Sequence, residues 1–308
     1  MTHTVFIDGA AGTTGLEILD RLAPRPEFDL IVLGEDQRKS VDARRDAYHA
    51  ADFAVLCLPD EAAREAVTLA EGSKVRIIDA SSAHRVAQGW TYGFPELIGR
   101  ERIAEASRVS NPGCYPTGFL ALLAPLIRKA LLPSDWPWVC HAVSGYSGGG
   151  KALIERFEAD PDIAFRDYGL ALGHKHVPEM QRYAGLAHPP LFAPAVIPAH
   201  RGMVVEIPLH LSQMSRAAPT DGLRDCLVDF YDGSPIVRVH QETPDELLLR
   251  RSMEPSDRLD LWVFGARDVL QARLVARLDN LGKGASGAAV QSLNLMAGLP
   301  ETAGLSLD

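Results

Sequence analysis

The 308-residue sequence predicts an α/β protein: a doubly wound parallel sheet, then an α+β domain with a mostly antiparallel sheet. Three observations carry this. Unbroken apolar runs alternate with helix-like stretches through the first hundred residues, as strands buried on both faces of a parallel sheet require. A turn holding Gly9, Gly12 and Gly15 joins the first run to the first helix. Near the other end, Leu270, Ala272, Leu274, Ala276 and Leu278 alternate with mostly polar neighbours, the period of a strand with one face covered.

In chain order, residues 5–7 form the first strand and 16–22 carry helical spacing. Residues 30–33 and 53–58 are continuous buried strands, and 60–71 is a helix with Asp60 near its N-terminus. Residues 75–78 are the next strand. After about Asn111 the texture changes. Residues 117–132 predict a strongly apolar helix, 138–144 a strand, and 152–158 a helix. Strands are expected at 204–211, 236–239 and 259–264, then the alternating stretch, then a helix at 285–298. The division falls between domains of residues 1–115 and 116–284, with no internal repeat.

Composition excludes several classes of partner. With 31 Lys+Arg against 40 Asp+Glu the net charge is −9, which argues against nucleic acid or an anionic membrane. At 46% hydrophobic the chain packs a core, yet no apolar run reaches the ~18–20 residues of a membrane span. The start lacks a signal peptide's basic region and apolar stretch, and four dispersed cysteines make no disulfide scaffold. The expectation is a cytoplasmic, soluble enzyme acting on a small molecule.

Gly9, Gly12, Thr13, Thr14 and Gly15 lie where a strand turns into a helix, and first-turn amides there can face a pyrophosphate. The spacing is G-x-x-G-x-x-G, so strand–turn–helix context carries the dinucleotide reading. Glu35, 20 residues after Gly15, and Asp36 suit the ribose hydroxyls of NAD, whereas Arg38, Lys39 and Ser40 suit the 2′-phosphate of NADP. The balance favours NADP. A second glycine loop, Gly145 to Lys151, matches a nucleotide hydrolase's phosphate loop except at its last position. There Ala152 has no hydroxyl for Mg²⁺.

Cys57, Cys140 and Cys226 sit in apolar contexts as structural thiols. Cys114 differs: it stands in a Pro/Gly turn just before the apolar helix, where helix amides favour thiolate. Acyl chemistry at a cysteine needs an imidazole, and ten histidines leave its identity open. A metal site from His174, His176 and Glu179 lacks a convincing further ligand, so no metal is expected. Arg201 and Lys151 are candidate cations for an anionic substrate.

Asn111-Pro112-Gly113-Cys114-Tyr115-Pro116-Thr117 resembles the active-site signature of the N-acetyl-γ-glutamyl-phosphate reductases, NADPH-dependent enzymes of arginine biosynthesis. The resemblance extends to the N-terminal glycine turn, to Asp79, Ser81, Ser82 and Arg85, and to Tyr92-Gly93-Phe94-Pro95-Glu96-Leu97. It continues through Ser144, Gly145 and Lys151, His176-Val177-Pro178-Glu179, Arg201-Gly202-Met203 and the stretch from Asp279 to Ala285. These segments keep family order over nearly the whole chain.

The resemblance implies a Rossmann-type nucleotide domain completed by a helix within 285–308, and a separate substrate domain. An antiparallel sheet with an apolar open face there would suit a homodimer or homotetramer. It implies Cys114 as nucleophile and His176 as acid/base, with His200 as the fallback. Ser81 and Asn280 would join the NADP site, and Arg85, Ser144, Gly145, Glu179 and Arg201, with Lys151, the acyl-phosphate site. His200 before Arg201, and Ser292 where the family pattern has Asn, are departures. The rival readings are an aspartate-semialdehyde dehydrogenase-like enzyme on another acyl phosphate and a non-catalytic NADP-binding protein.

Overall fold

A computed structural model describes residues 2–266 and 270–307. Two compact units are present: Met1–Pro112 with Ala285–Leu305, and Gly113–Gly284 with Ser306–Asp308. Met1 and Asp308, the outer limits of the expected division, lie outside the described residues. The first unit contains β1 (His3–Asp8), α1 (Thr13–Leu22), β2 (Phe28–Ile31), α2 (Val41–Ala50), β3 (Phe53–Leu56) and α3 (Asp60–Leu69). It continues through β4 (Arg76–Asp79), β5 (Thr91–Tyr92), α4 (Pro95–Ile98), α5 (Arg100–Glu105) and β6 (Arg108–Ser110). The second holds α6 (Cys114–Arg128), β7 (Val139–Gly145), α7 (Lys151–Ala159), β8 (Arg166–Asp167) and α8 (Val177–Ala184). It ends with β9 (Leu191–Ile197), β10 (Met203–His210), α9 (Thr220–Phe230), β11 (Val237–Val239), β12 (Leu259–Ala266) and β13 (Gln271–Leu278). The last helix, α10 (Gly287–Met296), belongs to the first unit.

The first sheet runs β2-β1-β3-β4-β6-β5 with every pairing parallel. The central residues of β1, β3 and β4 are apolar on consecutive positions because both faces are covered. Val5 and Ile7 pack with Ile18, Leu22, Ala289, Val290 and Leu293, while Phe6 between them packs with Ala47, Tyr48, Ala63 and Ala66. Strand β2 begins at Phe28, two residues ahead of the expected start. Helix α2 is absent from the sequence reading because its face is narrow: only Arg44, Ala47 and Tyr48 are buried. Its start signal was present, since Ser40 Oγ accepts the Ala43 N–H at 3.3 Å.

The second sheet runs β11-β12-β13-β10-β7-β9-β8. Four of its six pairings are antiparallel, and β11–β12 and β7–β9 are parallel, so the sheet is mixed. Strand β9 was not expected, because Pro194 interrupts it; near the sheet's edge the missing N–H is tolerated. Helix α6 is apolar all round because it is buried from Tyr115 to Leu126. A Cβ at Gly118 would stand 2.8 Å from Val205 Cγ2, so helix and sheet approach closely there. Pro125 inside α6 removes the N–H that would bond the Ala121 carbonyl. The Tyr231 hydroxyl donates to that carbonyl instead, at 2.9 Å. Among the described residues no helix is long and apolar enough to cross a membrane.

Candidate active site

In the second unit, Cys114 is the first residue of α6, with extended Gly113 as its cap. Cys114 is half-buried and within reach of solvent. Burial pushes Cys57 up to about 12 and holds Cys140 protonated as well, so those two are inert thiols. Cys226 is also raised by burial, and among the described residues no disulfide is formed. The Gly113 N–H donates to Glu179 Oε2 at 3.2 Å. That bond joins the start of α6 to the first turn of α8, whose cap is His176. The His176 ring is buried, with its centroid 5.8 Å from that of Tyr115. Its backbone N–H donates to His174 Nδ1 at 3.2 Å, which bends the segment into α8. His200 instead packs edge-on to Tyr146, at 5.6 Å.

Two tyrosines share this neighbourhood. Burial raises Tyr115 far above the ordinary phenol range, and the nearby Tyr168 and Cys114 add to it. Tyr168 is pushed up to about 12 by burial foremost, with the charge of Cys114 acting in the same direction. Both stay protonated donors: Tyr168 Oη lies 3.4 Å from Tyr115 Oη, which donates to the Ala195 carbonyl at 3.1 Å. Tyr168 has no sequence signal of its own; Tyr115 lies inside the cysteine signature.

Gly284 closes the other side of the cysteine. A Cβ there would come within 2.9 Å of Cys114 Cβ and 3.0 Å of the Asp279 carbonyl. The Asp279 carboxylate, wholly buried, holds Arg201 Nη1 at 2.9 Å. Asn280 Oδ1 accepts the Gly202 N–H and its Nδ2 donates to Ser147 Oγ, at 2.9 and 2.8 Å. Its amide therefore staples two loops. Ser144 is buried with its hydroxyl on the Gly145 carbonyl. Gly145 lies where any Cβ would strike the backbone of residues 199–201. Lys151 opens α7 and is exposed.

In the first unit the glycine turn has the predicted form. Gly9 has φ +90°, and a Cβ on it would collide with the Cys57 carbonyl; one on Gly15 would collide with the Gly9 carbonyl. Gly12 caps α1 without a side-chain bond, so the Thr13, Thr14 and Gly15 amides of the first turn have no intrahelical acceptor. This cradle fits a dinucleotide pyrophosphate. Arg38 is paired with Glu35 at 2.8 Å on the surface, and Lys39 is exposed. Ser40 is occupied as the cap of α2. Ser81 donates to Asp79 Oδ2 at 2.8 Å, and Arg85 Nε donates to the Asn111 carbonyl at 3.0 Å. Ser292 is buried in α10, with no hydrogen bond to its hydroxyl among the described residues. Among those residues no group of three or more His, Cys, Asp or Glu could hold a metal ion.

The chain matches two family profiles: "Semialdehyde dehydrogenase, NAD binding domain" over residues 4–106, and "Semialdehyde dehydrogenase, dimerisation domain" over 114–280. It is 49% identical to N-acetyl-gamma-glutamyl-phosphate reductase 2 of Nostoc sp., over 98% of each chain. It is also 49% identical to the Pseudomonas putida protein of that name, covering 96% of this chain and 97% of that one. The Brucella ovis N-acetyl-gamma-glutamyl-phosphate reductase is 49% identical as well, over 97% and 100%. Among solved structures, aspartate semialdehyde dehydrogenase II of Vibrio cholerae, complexed with ASA, superposes with a TM-score of 0.72 at 17% identity, over 96% and 98%. The Candida albicans enzyme with NADP gives 0.68 at 14%, over the same shares. At those identities the structural likeness speaks for the fold.

Proposed function

The chain belongs to the N-acetyl-γ-glutamyl-phosphate reductases of the semialdehyde dehydrogenase family, and from this premise we propose how its residues reduce the acyl phosphate to N-acetylglutamate 5-semialdehyde. The observation that carries the reading is the Gly113–Glu179 bond, which ties the head of α6, where the half-exposed Cys114 stands, to the head of α8, capped by His176.

The N-terminus of α6 favours the thiolate of Cys114, and His176 is the group that takes its proton. The thiolate attacks the γ-carbonyl, the C–O bond to phosphate breaks, and a thioester to Cys114 remains. Arg201, fixed by Asp279, and Lys151 offset the charge of the leaving phosphate, with Arg85 as a further cation for the substrate. NADPH, cradled by Gly9, Gly12, Thr13, Thr14 and Gly15, supplies the hydride when bound. His176 then gives a proton to the oxygen of the thiohemiacetal on Cys114 and takes it back as the C=O bond forms and the C–S bond breaks, which frees the aldehyde and restores the thiolate. Arg38 and Lys39 would take the 2′-phosphate. The Arg38–Glu35 pair is exposed and so worth under about 1 kcal/mol, which a phosphate readily replaces. The NADP-site roles of Ser81 and Asn280 reduce to shaping their loops, since the side chains are engaged within them. The matched dimerisation domain supports a homodimer or homotetramer, and the cytoplasm is the setting this reading assigns.

The test is turnover of N-acetyl-γ-glutamyl phosphate beside aspartyl phosphate, with Cys114→Ser. Preference for the former, and loss of both turnover and the covalent acyl-enzyme in the variant, are expected. Near-normal turnover in Cys114→Ser would refute the mechanism.

A further inference from the structure

The chemistry above leaves the buried pair of Asp79 and His84 unused. Asp79 ends β4 with no solvent exposure, and its Oδ2 lies 2.6 Å from His84 Nδ1. A carboxylate only accepts, so the imidazole carries its hydrogen on Nδ1. The same carboxyl group accepts the Ser81 N–H at 2.9 Å and the Ser81 hydroxyl at 2.8 Å. The His84 ring lies flat on Trp90, centroids 4.2 Å apart and planes 12° apart. Ser82, between them, gives its N–H and hydroxyl to Asp60. This short loop is thus pinned at nearly every residue up to Arg85.

Arg85 is the end of that chain of contacts. Its Nε donates to the Asn111 carbonyl, and Asn111 in turn donates its backbone N–H to the Asp79 carbonyl at 2.7 Å. A guanidinium held in this way binds an anion with little further loss of freedom, whereas the same group on a mobile loop loses affinity to ordering.

We propose that His84 is a positioning residue for the reaction: held between Asp79 and Trp90, it sets Arg85 for the anionic end of the acyl phosphate. This rests on the function proposed above, which gives Arg85 that end of the substrate. His84→Phe keeps a ring against Trp90 and removes the N–H. It should raise KM for N-acetyl-γ-glutamyl phosphate about fivefold or more, with kcat within about threefold and NADPH affinity within about twofold of the parent. His84→Asn, which returns an N–H near the place of Nδ1, should bring KM back to within about twofold.

Calorimetric titration of inorganic phosphate into the NADP-loaded enzyme should rank the three proteins in the same order. That measurement needs no turnover, so it reads the pair even if the parent fails to reduce the acyl phosphate, a failure that sinks the function alone. If His84→Phe does not fold, Ser81→Ala, which removes one donor from Asp79, should weaken phosphate binding about twofold or more. Unchanged phosphate affinity in the folded variants overturns the proposal. So does a parent that binds no phosphate, or a fall in kcat and NADPH binding together, which marks general damage.

Discussion

The Gly113 amide and the Glu179 carboxylate meet at 3.2 Å across 66 residues of sequence, with Glu179 almost wholly buried. Glu179 sits at the third position of α8, where a carboxylate commonly turns back to its own helix cap. Here it reaches out to the cap of α6 and fixes the turn that presents Cys114.

Glu179→Gln retains an acceptor oxygen, and Glu179→Ala removes it. The alanine variant should lose about 10- to 100-fold in kcat and the glutamine variant less, as for a charged acceptor that holds a reacting group in place. Steady-state kinetics beside a melting curve checks this. Equal kcat in all three proteins would mean that the bond does not position the cysteine.

Gly284→Ala tests the same cysteine from its other side. The new Cβ falls 2.9 Å from Cys114 Cβ, tighter than side chains tolerate, so one of them must move. Alkylation of Cys114 by iodoacetamide and kcat should both fall about tenfold or more, while NADPH affinity holds.

Tyr231→Phe reaches stability without touching the chemistry. Pro125 has already taken the intrahelical donor from the Ala121 carbonyl, and losing the hydroxyl leaves that buried acceptor bare. The cost should be about 1–3 kcal/mol, read as a lower denaturation midpoint with kcat unchanged.

What the sequence made legible is what a few adjacent residues can encode. The turn from Gly9 to Gly15 follows from steric demands that only glycine meets, and Cys114 is marked by the proline and glycine before it. Strands β1 to β4 are readable because their apolar centres are buried on both faces, whereas β5 and β6, two and three residues long, are too short to show a pattern. Helix α2 escaped because its charged surface outweighs a three-residue buried face, and β9 because Pro194 argues against a strand. Side-chain pairings were the least accessible. Asn280 meets Ser147 and Gly202, and Gly113 meets Glu179, partners chosen by tertiary packing rather than by spacing.

Alkaline pH should unfold this protein ahead of what exposed groups would cause. Burial raises the Cys57 thiol from 9.0 to about 12 and Tyr168 from 10.0 to about 12. A raised value means that the native state holds its proton more tightly than the unfolded chain. The stability is therefore complete below pH 9 and is lost as pH climbs from there through 12. Denaturant midpoints measured from pH 8 to 11 should fall steadily above 9. Cys57→Ala should flatten part of that slope, and a midpoint that does not move would refute the burial argument.

Cofactor choice offers the last test, because Arg38 and Lys39 face opposing signals from Glu35 and Asp36. Both basic side chains are exposed, and the single pair between Arg38 and Glu35 is weak enough to exchange for a doubly charged 2′-phosphate. NADH lacks that phosphate and gains nothing from either cation. Replacing Arg38 and Lys39 together by alanine should therefore raise KM for NADPH about 10- to 100-fold and leave that for NADH within about twofold. Glu35→Gln, which releases Arg38 from its partner, should move KM for NADPH the other way by a small factor. If the double variant weakened both cofactors alike, the loss would lie in the turn from Gly9 to Gly15, which grips the pyrophosphate common to both, and the basic pair would have no part in selecting NADP.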